Sequence, residues 1–123
     1  MNRYITRGIL EDLTAGRSVL VVSPSLTQAK HAHAQLLDHA YTVSGGDPTG
    51  YRWSFFNGGQ WLRDERTKIA ATFTSIRAGM VDHAQADVVV IDGYRQMIGD
   101  GRDVTTIDRI SAITRDRETV VID

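Results

Sequence analysis

The sequence predicts an α/β domain in which a mostly parallel β-sheet lies between two layers of helices, as a three-layer sandwich. Two observations carry this prediction. Short continuous runs of aliphatic residues, such as residues 87–91 (DVVVI), are typical of strands buried on both faces of a parallel sheet. Between these runs, apolar residues recur at the spacing of amphipathic helices. With 123 residues, 41% of them hydrophobic and 24% charged, the chain has the size and composition of one folded domain, residues 1–123.

The order of the elements follows from periodicity and from the residues that interrupt it. Ser25 precedes a helical segment and stands three residues before Gln28, the spacing of a helix N-terminal cap. Asn57 and Gly58 separate two aromatic-rich runs, which predicts a β-hairpin inserted ahead of the next strand. The predicted elements are helices at residues 3–13, 26–40 and 106–113, strands at 17–22, 68–74, 87–91 and 119–122, and a hairpin formed by 51–56 and 60–63.

Charge and cysteine content limit the partners and the compartment. Fourteen Lys and Arg against fifteen Asp and Glu give a net charge of -1, so no overall field attracts nucleic acid or an anionic membrane. Any nucleic-acid contact therefore needs a local basic patch. The chain has no Cys, which suits a reducing compartment, and its first residues lack the apolar run of a signal peptide or membrane span. We therefore expect a cytoplasmic protein without a membrane partner.

Histidines are concentrated on the helix predicted over residues 26–40. The small apolar residues of this helix are expected to face the sheet, which places His31, His33 and His39 on other faces. Because His31 and His33 are two residues apart, they do not point in the same direction and do not form a pair of helical metal ligands. The sequence predicts no metal site.

One candidate site lies at the predicted carboxyl ends of the strands. Asp92 ends the run DVVVI, and ligands of α/β sheets collect at this edge. Ser23 and Arg77 follow two other predicted strands and are expected at the same edge, where they could meet a phosphate or a metal ion. The alternative is structural, because Asp92 and Gly93 form a common turn pair and Arg77 could be a solvated loop residue.

A second candidate site is the predicted hairpin, in which aromatic residues alternate with arginines. This combination suits single-stranded nucleic acid, since bases stack on aromatic rings while guanidinium groups meet phosphates. The alternative is that every second aromatic residue simply packs on the core, as strand alternation produces. The residues proposed to bind nucleic acid or a protein partner are Arg52, Trp53, Phe55, Trp61, Arg63 and Arg66.

Three segments resemble the RecA-like core that viral terminase motors and helicases share. They are GRSVLVVSPSLTQAKHAHAQLL, KIAATFTSIRAG and ADVVVIDG, in this order. The resemblance implies a RecA-like or Rossmann-like sandwich, a viral origin and thus the host cytoplasm. Two departures matter, because the chain lacks a glycine-rich phosphate loop ending in Gly-Lys-Ser/Thr, and Gly93 stands where the motors carry a catalytic Glu. Independent ATPase activity is therefore not expected.

The sequence leaves two classes of function open. The first is a non-catalytic binding or adaptor module derived from a motor core, without a cofactor, which acts on protein or nucleic acid as a single chain or as a homo-oligomer. The second is a subunit of a nucleotide-dependent enzyme, in which a site for ATP with Mg²⁺ is completed by another chain. In that case, similarity to the second RecA-like domain of helicases implies that Arg95 and Arg102 could stabilise phosphate charge. The binding residues of this second class are Ser23, Arg77, Asp92 and Arg102.

Overall fold

A computed structural model describes residues 1–55, 60–78, 81, 85–99 and 104–123 of the chain. The predicted helices and strands are confirmed, with shifts at their ends, whereas a short α3 and a 3-10 helix at Pro48–Gly50 were not predicted. The predicted turn at Asn57 and Gly58 lies outside the described residues. The helices are α1 (Arg3–Thr14), α2 (Leu26–Val43), α3 (Tyr94–Ile98) and α4 (Val104–Thr114). The strands are β1 (Val19–Ser23), β2 (Tyr51–Ser54), β3 (Gln60–Asp64), β4 (Ile69–Ser75), β5 (Val88–Asp92) and β6 (Glu118–Ile122).

The six strands form one mixed sheet in the order β2-β3-β4-β1-β5-β6. Strand β1 pairs in parallel with β4 and β5, and β5 pairs in parallel with β6. Strand β3 pairs antiparallel with both β2 and β4. The prediction of a mostly parallel three-layer sandwich of RecA-like or Rossmann-like type is therefore wrong. Two of the five strand pairings are antiparallel, and the hairpin predicted ahead of β4 is part of the same sheet, at one of its ends.

The short connection between β3 and β4 explains this difference. Only residues 65–68 join the two strands, whereas a parallel pair needs a crossover of a dozen or more residues. Asp64 fixes the turn, because its backbone oxygen accepts a hydrogen bond from the Lys68 nitrogen at 2.8 Å and its Oδ1 accepts one from the Arg66 nitrogen at 2.8 Å. Lys68 closes the turn with a left-handed backbone, φ 62°.

Two apolar cores lie on the two faces of the sheet. Helices α1 and α2 pack on the first face, where Leu13, Leu36, Leu62 and Phe73 are at most 1% exposed. The second core contains Leu20, Val22, Ile76, Val81, Val89, Ile91, Met97 and Ile113. Among the described residues, no member of β2, β3 or β4 belongs to this second core. The antiparallel half of the sheet therefore has an apolar core on one face only.

Helix α2 begins at the carboxyl end of β1, as its cap predicts. The Ser25 hydroxyl accepts a hydrogen bond from the backbone nitrogen of Gln28 at 3.3 Å, which satisfies one of the free N–H groups of the first turn. The helix then runs across β1, β4 and β3. Neither α2 nor any other helix in the described part of the chain is long and apolar enough to cross a membrane.

Candidate nucleic-acid interface

The carboxyl ends of three neighbouring strands bring Ser23, Ser75 and Asp92 to one edge of the sheet. Ser23 of β1 is the register partner of Ser75 in β4, and on the other side Val22 is the partner of Ile91 in β5. Arg77 is exposed just beyond the end of β4. The structure thus places Ser23, Arg77 and Asp92 at the same edge, while Arg102 lies outside the described residues.

The surroundings of Ser23 and Asp92 limit what this edge can bind. Ser23 is 0% exposed, and its hydroxyl has no hydrogen-bond partner within the described part of the chain. Its backbone oxygen accepts a hydrogen bond from the Ile76 nitrogen at 2.9 Å, which fixes the following loop. The Asp92 side chain is 19% exposed, and its Oδ2 lies 3.9 Å from the amino group of Met1. A ligand at this edge would reach Asp92 and Arg77 but not the hydroxyl of Ser23.

Gly93 has a structural reason to follow Asp92. Its φ is 91°, a left-handed conformation that L side chains rarely adopt, and an added Cβ would lie 2.9 Å from Cγ of Pro24. A glutamate at this position would therefore strain the backbone and collide with Pro24. This geometry excludes the side chain that a motor needs here to activate water, and it favours the turn interpretation of Asp92 and Gly93.

Across the part of the chain that is described, no group of three or more His, Asp or Glu side chains is arranged to hold a metal ion. Within ion-pair distance, the Met1 amino group is the only positively charged neighbour of Asp92 that the described residues provide.

The predicted hairpin residues divide between the two faces of the sheet. Trp53 is the register partner of Leu62, a fully buried core residue, so Trp53 lies on the face that α2 covers. Phe55 lies on the same face, with its ring centroid 4.9 Å from that of His33 in α2. Ser54 is paired with Trp61, which places Trp61 on the opposite face. The predicted residues therefore lie on two faces of the sheet, although Trp53, Phe55 and Trp61 meet around a groove of about 570 Å³ at the end of the hairpin.

On the α2 side, Trp53 and Phe55 border a groove of about 400 Å³. Phe55 is 58% exposed and Tyr41 of α2 is 53% exposed, which is high for aromatic side chains beside a core. The groove is apolar apart from one carboxylate. Its lining residues are Ala34, Leu37, Asp38, Tyr41, Trp53 and Phe55.

The opposite face of the antiparallel half carries the other aromatic and basic residues, and we call it the Trp61 face. Arg52 is paired with Arg63, and Trp61 is paired with Thr72. The guanidinium carbon of Arg63 lies 5.5 Å from the centre of the Trp61 ring, within the range of a cation–π contact. The Trp61 face consists of Arg52, Ser54, Trp61, Arg63, Ala70 and Thr72.

Positive charge exceeds negative charge around the Trp61 face. Glu65 forms ion pairs with Arg52 (3.5 Å), Arg63 (2.9 Å) and Lys68. The hydrogen bond from Lys68, and then that from Arg63, lowers the pKa of Glu65. Three cations thus share one carboxylate, which leaves an excess of two positive charges in this group. The Arg52 and Lys68 side chains are 73% and 66% exposed, so their charges face solvent.

Arg66, the last of the predicted hairpin residues, has a structural partner. Its Nη2 lies 3.2 Å from Oδ2 of Asp64, whose side chain is 0% exposed. Oδ2 of Asp64 also accepts a hydrogen bond from the Thr14 hydroxyl at 3.3 Å, which ties the β3–β4 turn to the end of α1. Burial raises the pKa of Asp64, but the hydrogen bonds from Arg66 outweigh it and lower the pKa overall. Arg66 therefore forms a structural ion pair with the buried Asp64 carboxylate.

His33 is the residue that the sequence prediction misplaced. The expectation that it lies away from the sheet is wrong, because the ring is 0% exposed and packs over β3 and β4. The sequence spacing could have predicted its position. Four residues of α2 recur at helical intervals and are all buried: Ala29, His33, Leu36 and Ala40. A histidine can occupy such a position when one ring nitrogen has a hydrogen-bond partner, here the backbone oxygen of Trp61 at 3.0 Å.

Comparison with known proteins adds no relative: no family model matches the chain, and neither a curated protein nor a solved structure matches it.

Proposed function

We propose that this protein is a non-catalytic binding module that holds single-stranded nucleic acid against the Trp61 face. The observation that supports this proposal most strongly is the position of Trp61. It lies half-buried on the half of the sheet that lacks an apolar core on that face, with Arg63 at 5.5 Å from its ring. The resemblance to a motor core stays a prediction, and the proposal does not depend on it.

The chemistry of the Trp61 face suits an unpaired strand better than a duplex. The half-buried indole of Trp61 offers a stacking platform to a single base, which a base inside a duplex cannot use. The exposed Arg52 and Lys68 side chains can meet phosphates on either side of the stacked base. Because the net charge of the chain is -1, nucleic-acid binding needs a local basic patch, and this local excess of positive charge supplies one.

The enzyme-subunit alternative has less support from the geometry. The Ser23 hydroxyl is buried and Gly93 leaves no space for a catalytic side chain, so among the described residues predicted for this site only Asp92 and Arg77 could contact a nucleotide with Mg²⁺. In this alternative the site is completed by another chain. We therefore keep this function as the alternative, to be tested with the nucleotide itself.

A protein partner is the second candidate, and the apolar groove on the α2 side favours it. Tyr41, Trp53 and Phe55 are 53%, 37% and 58% exposed around this groove, beside the edge strand β2. A second copy of the chain is the simplest partner to test. Sedimentation of the wild type and of Phe55→Ser over a range of concentrations should show an oligomer that Phe55→Ser dissociates. A wild type that is monomeric throughout would exclude self-association through the groove.

The nucleic-acid proposal is tested by fluorescence anisotropy with a labelled single-stranded oligonucleotide of about ten nucleotides. Arg52→Ala should weaken binding and reduce the slope of log K against log salt by about one, because one phosphate contact is lost. The matched control is Arg95→Ala. Arg95 is 82% exposed and pairs with one carboxylate at 3.3 Å, much as Arg52 does, but it lies in α3.

Equal losses in Arg52→Ala and Arg95→Ala would mean that binding is a diffuse charge effect, which contradicts the proposal. An unlabelled duplex of the same sequence should compete poorly. Equal competition by the duplex would exclude stacking on Trp61 as the basis of recognition.

A further inference from the structure

His33 connects α2 to β3, to β4 and to Phe55, the residue that follows β2. Its Nε2 lies 3.0 Å from the backbone oxygen of Trp61 in β3. Its ring centroid is 5.1 Å from that of Phe73 in β4 and 4.9 Å from that of Phe55. One fully buried imidazole therefore contacts the strand that carries Trp61, the neighbouring strand β4 and the end of the hairpin strand β2.

The hydrogen bond fixes the tautomer of the neutral ring. A carbonyl oxygen only accepts hydrogen bonds, so Nε2 must carry the hydrogen and donate it to Trp61. Nδ1 then holds a lone pair, and this atom is buried without a hydrogen-bond partner among the described residues. Protonation would create a charged N–H group at Nδ1, for which the described part of the chain provides no acceptor, and this is unfavourable in an apolar surrounding. Burial correspondingly lowers the pKa of His33, against the opposing effect of the Trp61 hydrogen bond.

Among the described elements that pack around His33, no charged group lies where it would stabilise the protonated ring. On the same face of β3, Asp64 is at the far end of the strand and is engaged by Arg66 and Thr14. On α2 itself, Lys30 and Asp38 are exposed. The residues of β2, β4 and β1 that share the face are Tyr51, Trp53, Ile69, Ala71, Phe73, Ser75, Val19, Val21 and Ser23, of which only Tyr51 is titratable.

We propose that protonation of His33 detaches the Trp61 strand and Phe55 from α2, so that mild acid switches off single-strand binding. The detachment of the Trp61 strand concerns the fold alone, whereas the loss of single-strand binding rests on the proposed function. The direction in which affinity changes in acid separates a structural effect from a charge effect. Protonation of exposed histidines such as His31 adds positive charge and would strengthen binding to a polyanion. A loss of affinity in acid therefore points to a structural change and not to charge.

The test measures tryptophan emission without nucleic acid, in a Trp53→Phe background in which Trp61 is the only tryptophan. Between neutral pH and about pH 5.5, the Trp61 emission should change while the far-UV circular dichroism stays native. His33→Gln, whose amide can still donate to the Trp61 carbonyl, should abolish the change. His31→Gln, an exposed histidine on the same helix, should leave it intact. An unchanged emission in acid, or the same change in His33→Gln, would overturn the inference.

If His33→Gln does not fold, the wild type supplies the same answer by NMR. The amide shifts of Phe55 and Trp61 should follow the titration of the His33 ring, and shifts that follow another histidine would overturn the inference. Anisotropy with the single-stranded oligonucleotide then separates the two proposals. Wild-type affinity should fall about threefold or more over the same pH range, and affinity of His33→Gln should not. No binding at neutral pH would reject the proposed function but leave the emission result standing.

Discussion

Trp53 and Trp61 lie on opposite faces of the same hairpin. Trp53 is the partner of the buried Leu62 and borders a groove against α2, whereas Trp61 is paired with Ser54 and lies beside Arg63 on the other face. With Ser54 and Phe55, both also line a groove of about 570 Å³ at the end of the hairpin. The chain contains only these two tryptophans, so single-tryptophan variants can compare how a ligand affects the two faces.

Gly93→Ala should destabilise the protein more than Gly16→Ala does. Both glycines have a left-handed backbone, with φ of 91° and 82°, so each substitution should cost about 1 kcal/mol for the backbone alone. Only Gly93 would also place its Cβ against Pro24, at 2.9 Å from Cγ, whereas nothing lies within 4 Å at Gly16. We expect about 1 kcal/mol of additional loss at Gly93 in urea denaturation.

Pro24→Ala provides the control for this prediction, since it removes the side chain that the new Cβ would meet. In that background the cost of Gly93→Ala should fall to that of Gly16→Ala. A cost at Gly93 that is independent of Pro24 would show that the close contact has no influence on stability.

Asp64→Asn should remove part of the acid sensitivity of the fold. Because the pKa of Asp64 is lower in the folded protein than its ordinary value near 3.8, its contribution to stability is complete above that value. This contribution is lost as pH falls through the folded-state pKa. At neutral pH the substitution should cost about 2 kcal/mol, since Arg66 and Thr14 lose a buried acceptor. Asp38→Asn, at an exposed position of α2, should change neither the stability at neutral pH nor its decrease in acid.

The measurement is urea denaturation at neutral pH and at several pH values below the ordinary pKa of Asp. If Asp64→Asn loses stability in acid as steeply as the wild type, the carboxylate is not the group that senses pH.

ATP with Mg²⁺ should not raise the melting temperature. A ligand of the native state stabilises it increasingly as the ligand concentration rises above Kd, so a thermal-shift titration detects binding without a need for turnover. We expect no concentration-dependent shift, because Ser23 is buried and no group of three or more His, Asp or Glu side chains among the described residues is arranged to hold a metal ion. A shift that disappears in both Asp92→Asn and Arg77→Ala would instead favour the enzyme-subunit alternative.

Local sequence signals were sufficient for the helices and strands but not for how the strands pair. The aliphatic runs before Ser23 and Asp92 and the cap at Ser25 predicted β1, β5 and α2 close to their observed bounds. Periodicity does not identify the neighbour of a strand, and this is where the prediction of a mostly parallel sheet failed. The decisive signal was the short connection over residues 65–68, which permits only an antiparallel return.

The candidate site was only partly predictable for a related reason. Alternation along one strand puts Tyr51, Trp53 and Phe55 on the same face, and this could be read from the sequence. The face of Trp61 depends on the register between β2 and β3, which the sequence does not determine across the intervening residues. His33 was missed because a polar residue was assumed to avoid the core, although its spacing with Ala29 and Leu36 places it there.

The most direct test of the Trp61 face compares two single-tryptophan proteins during titration with a single-stranded oligonucleotide at neutral pH. Trp53→Phe retains Trp61, and Trp61→Phe retains Trp53. If single-stranded nucleic acid binds to the Trp61 face, a base stacks on the Trp61 indole and Trp53→Phe should show saturable quenching. Trp61→Phe should bind more weakly and show little quenching. Quenching of Trp53 with affinity unchanged by Trp61→Phe would place the ligand in the groove beside α2 and contradict the account.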